Sequence, residues 1–360
     1  MSRILDLPAL VRNLPPDARR RAERMFDADL VVGETDPPAE MHAWLADRFG
    51  SVDAVRRQAI VRVTNRWTLE GALFSPLRGR RPQEGTGDRG PRQEATGDDP
   101  FCHPETGTPA EPWGRVHSDH AVSGANAAKY DGQHGVLVFR KHDPLDFDRE
   151  SVVDLLHLGR RWADRAREAD PAAAAYLLVW NCGMRAGGSI VHGHAQVLLG
   201  RARHYARIER LRRDAAAYRS ATGAPYLEDL VAVHRDLALV VAEAGGVATV
   251  ASLTPIKERE LLVIGPAGSD ERDPAFAAAV ARAVVAYRDV LGVRAFNLAL
   301  HRPPLDAGEA WSELGPVVHL VDRGDPESRS SDIGAMELYA ASVVGGDPFE
   351  VAERLGGALG

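Results

Sequence analysis

Two histidines and a glutamine, His192, His194 and Gln196, stand at alternate positions in the run "SIVHGHAQVLL", residues 189–199. In an extended chain alternate side chains share a face. The three would then point one way, with Val191, Gly193, Ala195 and Val197 on the other side. A neutral imidazole near pH 7 is a nucleophile or general base, whereas glutamine can only exchange hydrogen bonds. Polar residues on a wet sheet edge would show the same alternation, but the flanks here are apolar. The preceding turn, "NCGMRAGGS", is also rich in glycine. Such a turn lets backbone approach a ligand and aims free amides at anionic oxygens. Gly187 and Gly188 would do this, with Asn181 and Ser189 as added neutral donors. Chemistry at a phosphoryl centre is the expectation.

These residues need a scaffold. Residues 1–60 read as short helices, and "RWTLEGALFSP" reads as a strand. Residues 83–99 are polar and glycine-rich, the composition of a mobile loop. "GVLVF" is a buried strand, and residues 148–170 form a capped amphipathic helix with Val153, Leu156 and Trp162 on its apolar stripe. "AAYLLVWN" is a strand leading into the glycine turn, and residues 201–220 form a basic helix with a solvated face. The second half repeats this grammar. "VATVASL" and "ELLVIG" are strands, residues 273–292 a helix capped by Asp273 with Pro274 first, and "VRAFNLALH" and "PVVHLV" strands. The fold class expected is α+β, with two related halves, each an antiparallel sheet with helices packed on it. The expected divisions are an N-terminal helical extension (1–60), a first half with the histidine motif (61–220) and a second half (221–360).

The chain has 360 residues, 44% hydrophobic and 26% charged, which is enough for a sizeable core. A net charge of −7 does not favour nucleic acid or an acidic membrane surface. No apolar run approaches the roughly 20 residues of a membrane span, and the first residues lack the apolar core of a signal peptide. With only Cys102 and Cys182, a disulfide framework is not expected. The localisation expected is cytoplasmic.

The pattern N-x-G-x-x-x-G-x-S-x-x-H-x-H-x-Q over residues 181–196 resembles the signature of galactose-1-phosphate uridylyltransferase-like proteins of the histidine triad superfamily. The family usually has proline where Gly193 stands. "WTLEGALFSPLRGRRP", "DPFCHPETGTPAE", "FRKHDPLDF", "LALHRPP", "WSELGPVVHLV" and "GAMELYAASVVGGDPFEVAERL" carry the resemblance further, in patches from Arg66 to Leu355. It implies two histidine-triad-like halves and a nucleotidyltransferase in which His194 attacks the α-phosphorus of a nucleotide. His194 would then carry the nucleotidyl group to a second phosphate. Histidine triad hydrolases have a third histidine at the place of Gln196, able to protonate a poor leaving group. A phosphate leaving group, with a second pKa near ~6, needs no such acid. Transfer is therefore favoured over hydrolysis. Phosphorolysis of a nucleoside diphosphate sugar or a dinucleoside polyphosphate stays open, as does a non-catalytic nucleotide-binding role.

The resemblance also assigns ligands. Arg78 and Arg81 would sit at phosphates, Asp119 near the base and Glu337 at the sugar, while Ser331 replaces a phosphate-binding lysine that Lys257 could substitute. Asp99, Cys102, His142 and His192 match the positions of a structural zinc, with a metal-free hydrogen-bonded arrangement as the alternative. His301 and His319 match part of a second metal site whose third histidine is replaced by Val317. Asn126 and Lys129 read as a turn or as a ligand loop. No organic cofactor is expected. The partners implied are a nucleotide sugar or other nucleoside polyphosphate, a sugar phosphate or inorganic phosphate, and a second copy of the chain in a homodimer.

Overall fold

The computed structural model describes residues 3–80, 99–328 and 330–359. In chain order the strands are β1 (Phe26–Glu34), β2 (Arg57–Asn65), β3 (Gly71–Phe74), β4 (Ala121–Ala125), β5 (Gln133–Phe139), β6 (Ala173–Cys182) and β7 (His194–Arg201). They continue as β8 (Val240–Ala244), β9 (Val247–Ala251), β10 (Glu258–Ile264), β11 (Phe296–His301), β12 (Val317–Asp322) and β13 (Ser342–Val344).

The repeated strand, strand, helix, strand, strand grammar is present in both halves. One half supplies β4, β5, the helix Arg149–Ala169, β6 and β7. The other supplies β9, β10, the helix Pro274–Asp289, β11 and β12. The two antiparallel halves, with β8 added at one edge, join in one nine-stranded sheet in the order β4-β5-β7-β6-β11-β12-β10-β9-β8. The seam is the antiparallel pair β6–β11, where Asn181 lies opposite Asn297. Left apart, each half would present an edge of unpaired amides and carbonyls, and the pairing removes both.

The two long helices pack on this sheet and on each other. Each starts where its cap predicts. Asp148 accepts from the Ser151 amide in a reciprocal capping box, and Asp273 accepts from the Ala275 and Phe276 amides with Pro274 first in the helix. Leu155, Leu158 and Trp162 face inward and are fully buried against the sheet, so burial of this stripe holds the helix down.

The helical reading of residues 1–60 needs correction. Helices Leu7–Arg12, Pro16–Met25 and His42–Phe49 are present, but β1 lies between them and pairs with β2 along nine residues. Its alternation of Phe26 and Ala28 with Asp27 and Asp29 suits a strand once a distant partner supplies the hydrogen bonds. β1, β2, β3 and β13 make a separate four-stranded sheet with β13 parallel to β3, so β2 and β3 do not join the nine-stranded sheet. Among the described residues no helix is long and apolar enough to cross a membrane.

Candidate active site

β7 begins at His194, and residues 189–193 are bent rather than extended. His192 therefore precedes the strand, and the shared face holds for His194 and Gln196 only. Gly193 fixes this bend from both sides. Its N–H donates to the His142 carbonyl (3.2 Å), and its own carbonyl accepts from Phe139 N–H (3.0 Å). A Cβ at this position would lie 3.2 Å from the Phe139 ring and 3.2 Å from Pro144 Cα. Proline here would lose the donor and crowd both neighbours, so the hydrogen bonds of this bend depend on glycine.

His194 is buried, and its Nδ1–H donates to the His192 carbonyl at 2.8 Å. A carbonyl can only accept, so Nδ1 carries the proton and Nε2 keeps its lone pair. Burial holds the pKa of His194 below the ordinary imidazole value, against the raising effect of the carbonyl bond. The ring is thus neutral near pH 7, with a free lone pair on Nε2. Phe101 meets it edge-on at 4.9 Å between centroids, limiting rotation. Two residues along the strand, Gln196 Oε1 lies 3.0 Å from Nε2 of His134, a fully buried residue of β5. The Gln196 amide nitrogen meets no acceptor among the described residues. Sequence reasoning missed His134. Its signal was a lone histidine in "GQHGVLVF", and only the β5–β7 register shows what it faces.

Asp99, Cys102, His142 and His192 come together, with one ligand atom of each within 4.8 Å of the others. Cys102 Sγ is 3.1 Å from His142 Nδ1 and 3.7 Å from His192 Nδ1. Asp99 oxygens lie 3.7 Å from the Nδ1 atoms of both histidines. The Asp99 carboxylate is aimed by its own turn, accepting from the Phe101 and Cys102 amides. His192 Nε2–H donates to the Phe139 carbonyl at 2.6 Å, which leaves the Nδ1 lone pair facing the group. One carboxylate, one thiolate and two imidazoles, with a carbonyl fixing a tautomer from behind, is a donor set suited to a tetrahedral divalent cation.

The turn before His194 does not leave the glycine amides free as expected: Gly187 N–H donates to the Met184 carbonyl (3.0 Å) and Gly188 N–H to the Gly183 carbonyl (3.2 Å). Gly187 has φ of 95°, a region that favours glycine. A Cβ on Gly188 would lie 3.1 Å from the Gly183 carbonyl. Asn181 Oδ1 accepts from Asn297 Nδ2 at 2.7 Å, so this side chain is held across the seam. Ser189 is exposed. Arg185 of the same turn donates to the carbonyls of Arg323, Ser328 and Ser330, tying the turn to the second half.

Arg78, Lys257, Ser331 and Glu337 line a cleft of about 830 Å³ that Arg185 also borders. Lys257 is buried there and donates to the Asp332 carbonyl, beside Ser331. Glu337 accepts from the Gly334 amide at 2.8 Å at the start of its own short helix. Asp119 is exposed near β4, and Arg140 binds its carbonyl. Arg81 and residues 83–98 lie outside the described residues. Asn126 and Lys129 are turn residues, Asn126 accepting from the Ala128 amide and Lys129 pairing with buried Glu111. His301 and His319 have ring centroids 4.6 Å apart, and His319 Nδ1 lies 2.8 Å from a Glu260 oxygen.

No protein-family model matches the sequence, and no curated protein matches it. Solved structures do. An ADP-glucose phosphorylase from Arabidopsis thaliana with bound ADP-glucose is similar at TM-score 0.63 and 17% identity, over 81% of this chain and 97% of that one. A GalT-like protein from Arabidopsis thaliana is similar at TM-score 0.59 and 17% identity, over 71% and 90%. A uridylyltransferase is similar at TM-score 0.57 and 16% identity, over 83% and 98%. The chain has the fold shared by these phosphorylase, GalT-like and uridylyltransferase structures.

Proposed function

We propose that the chain is a nucleotidyltransferase that moves a nucleoside monophosphate between phosphate groups by way of His194. The observation that carries this reading is the 2.8 Å bond from His194 Nδ1 to the His192 carbonyl. In the first step the Nε2 lone pair attacks the α-phosphorus of a nucleoside diphosphate sugar. A P–N bond forms, and the P–O bond to the departing sugar 1-phosphate breaks, its electron pair leaving with that oxygen. In the second step an acceptor phosphate oxygen attacks phosphorus and the P–N pair returns to Nε2. The Gln196 NH₂ binds a phosphoryl oxygen, as a donor aimed where charge gathers. The Asp99, Cys102, His142 and His192 group would hold zinc. Its chemistry is structural, cross-linking the segment before β4 to the backbone that supports His194.

Phosphorolysis is the second reading, with inorganic phosphate as acceptor. The likeness to a phosphorylase structure and the serine at 331 favour it. Intact-protein mass spectrometry tests both readings, after brief incubation with UDP-, GDP-, ADP-, CDP- and dTDP-sugars. A gain of one nucleoside monophosphate, absent in His194→Ala, is the expected result and names the base. Chasing the adduct with phosphate or a sugar 1-phosphate separates the two acceptors. Free monophosphate without an adduct would instead indicate hydrolysis.

A further inference from the structure

We infer that His134 is a positioning residue that fixes which end of the Gln196 amide faces the phosphoryl group. The inference rests on the nucleotidyl-transfer reading for its chemistry and on hydrogen-bond geometry for its structure. His134 Nδ1 accepts the Tyr130 backbone N–H at 3.0 Å. An amide N–H can only donate, so Nδ1 is unprotonated and the neutral ring carries its proton on Nε2. Two amides reach Nε2, Gln196 at 3.0 Å and Asn126 Nδ2 at 3.2 Å; Asn126 Oδ1 is held by the Ala128 amide, so the acceptor for that proton is the Gln196 carbonyl oxygen. The NH₂ is thereby turned away from His134, free on a part-exposed side chain that shares a face with His194.

The ring cannot readily turn to undo this. Tyr130 stacks on it at 4.5 Å between centroids. The His134 carbonyl accepts from the Asn126 amide and from Lys129 Nζ, and Lys129 is itself anchored by buried Glu111. Val136, two residues along β5, is the register partner of Gln196, so His134 reaches it diagonally on one face. A reversed Gln196 amide would set its NH₂ against the His134 Nε2–H and its carbonyl against a phosphoryl oxygen, two repulsions at once. Glutamine alone has no preference between its ends. The buried histidine supplies it.

The test is a double-mutant cycle read by the rate of adduct formation on the full chain. His134→Leu removes the donor and should slow nucleotidylation about 10- to 100-fold, with nucleotide affinity changed less than about threefold. His134→Gln, which carries an NH₂ near the former Nε2, should recover most of that rate. In a Gln196→Ala background, His134→Leu should cost less than about twofold more, because there is no amide left to orient. An equal loss in both backgrounds would make His134 merely structural and overturn the inference. ¹⁵N NMR of the histidine rings gives a readout independent of turnover. The Nε2–H tautomer is expected for His134, with its proton shift moving in Gln196→Ala, whereas an Nδ1–H tautomer would overturn the inference. A wild-type chain that takes up no nucleotidyl group from any donor would remove the transfer reading, while the tautomer still decides whether His134 orients Gln196.

Discussion

The Nδ1–H of His194 donates to the carbonyl of His192, whose own ring faces Asp99 and Cys102. The proposed nucleophile and the proposed ligand group thus share one residue, the first through its backbone and the second through its side chain. Effects on the two are separable by experiment.

Removing the nucleophile should abolish transfer and little else. His194→Ala is expected to lower the rate of nucleotidyl transfer by about 10³-fold or more. Nucleotide affinity by calorimetry should stay within a few-fold and the melting temperature within a few degrees. Joint loss of binding and folding would make His194 a structural residue.

The ligand group should bind metal. Purified chain is expected to contain about one zinc by elemental analysis, and Cys102→Ala should contain markedly less. Chelation should lower the melting temperature, because ligand binding to the folded state stabilises it by mass action. Equal zinc in both proteins would place the metal elsewhere.

Gly193 should not accept proline. The substitution removes the N–H that bonds the His142 carbonyl and brings ring atoms against Phe139 and Pro144. A loss of about 2–4 kcal/mol in urea unfolding is expected. Unchanged stability would mean that the bend at 189–193 does not depend on that bond.

Stability should fall in mild acid through His234. Its Nδ1–H donates to the Leu230 carbonyl and its Nε2 accepts from the Leu253 amide, so the neutral ring is satisfied and a second proton has no acceptor. Burial pushes its pKa down to about 4. Between pH 6.5 and 4 the unfolded chain binds the proton and the folded chain does not. The stabilisation is therefore complete above the unfolded value and lost as pH falls through that window. From pH 7 to pH 5 the loss is on the order of 2 kcal/mol from this residue. His234→Gln should flatten that part of the pH–stability curve, and an unchanged slope would assign the effect to other groups.

Much of this was legible in the sequence because the signals were local. The caps at Asp148 and Asp273, the repeated strand–helix grammar and the alternation of His194 with Gln196 lie within a few residues of the features they predict. Long-range pairing was harder to read. β1 waits for β2 some thirty residues on, and Phe26 and Ala28 look like helix flanks until that partner is known. His134 meets Gln196 only through a register spanning about sixty residues. Glu337 and Arg78, placed by resemblance alone, lie in a cleft that Arg185 also borders.

The atom that sets the tautomer of His194 belongs to the main chain. A side-chain partner can be erased by one codon change, but the carbonyl of residue 192 is present whatever amino acid is encoded there. Exchanging the side chains grouped around His192 would therefore leave the bond that orients His194 in place. The reactive imidazole is insured against drift in the very residue that holds it.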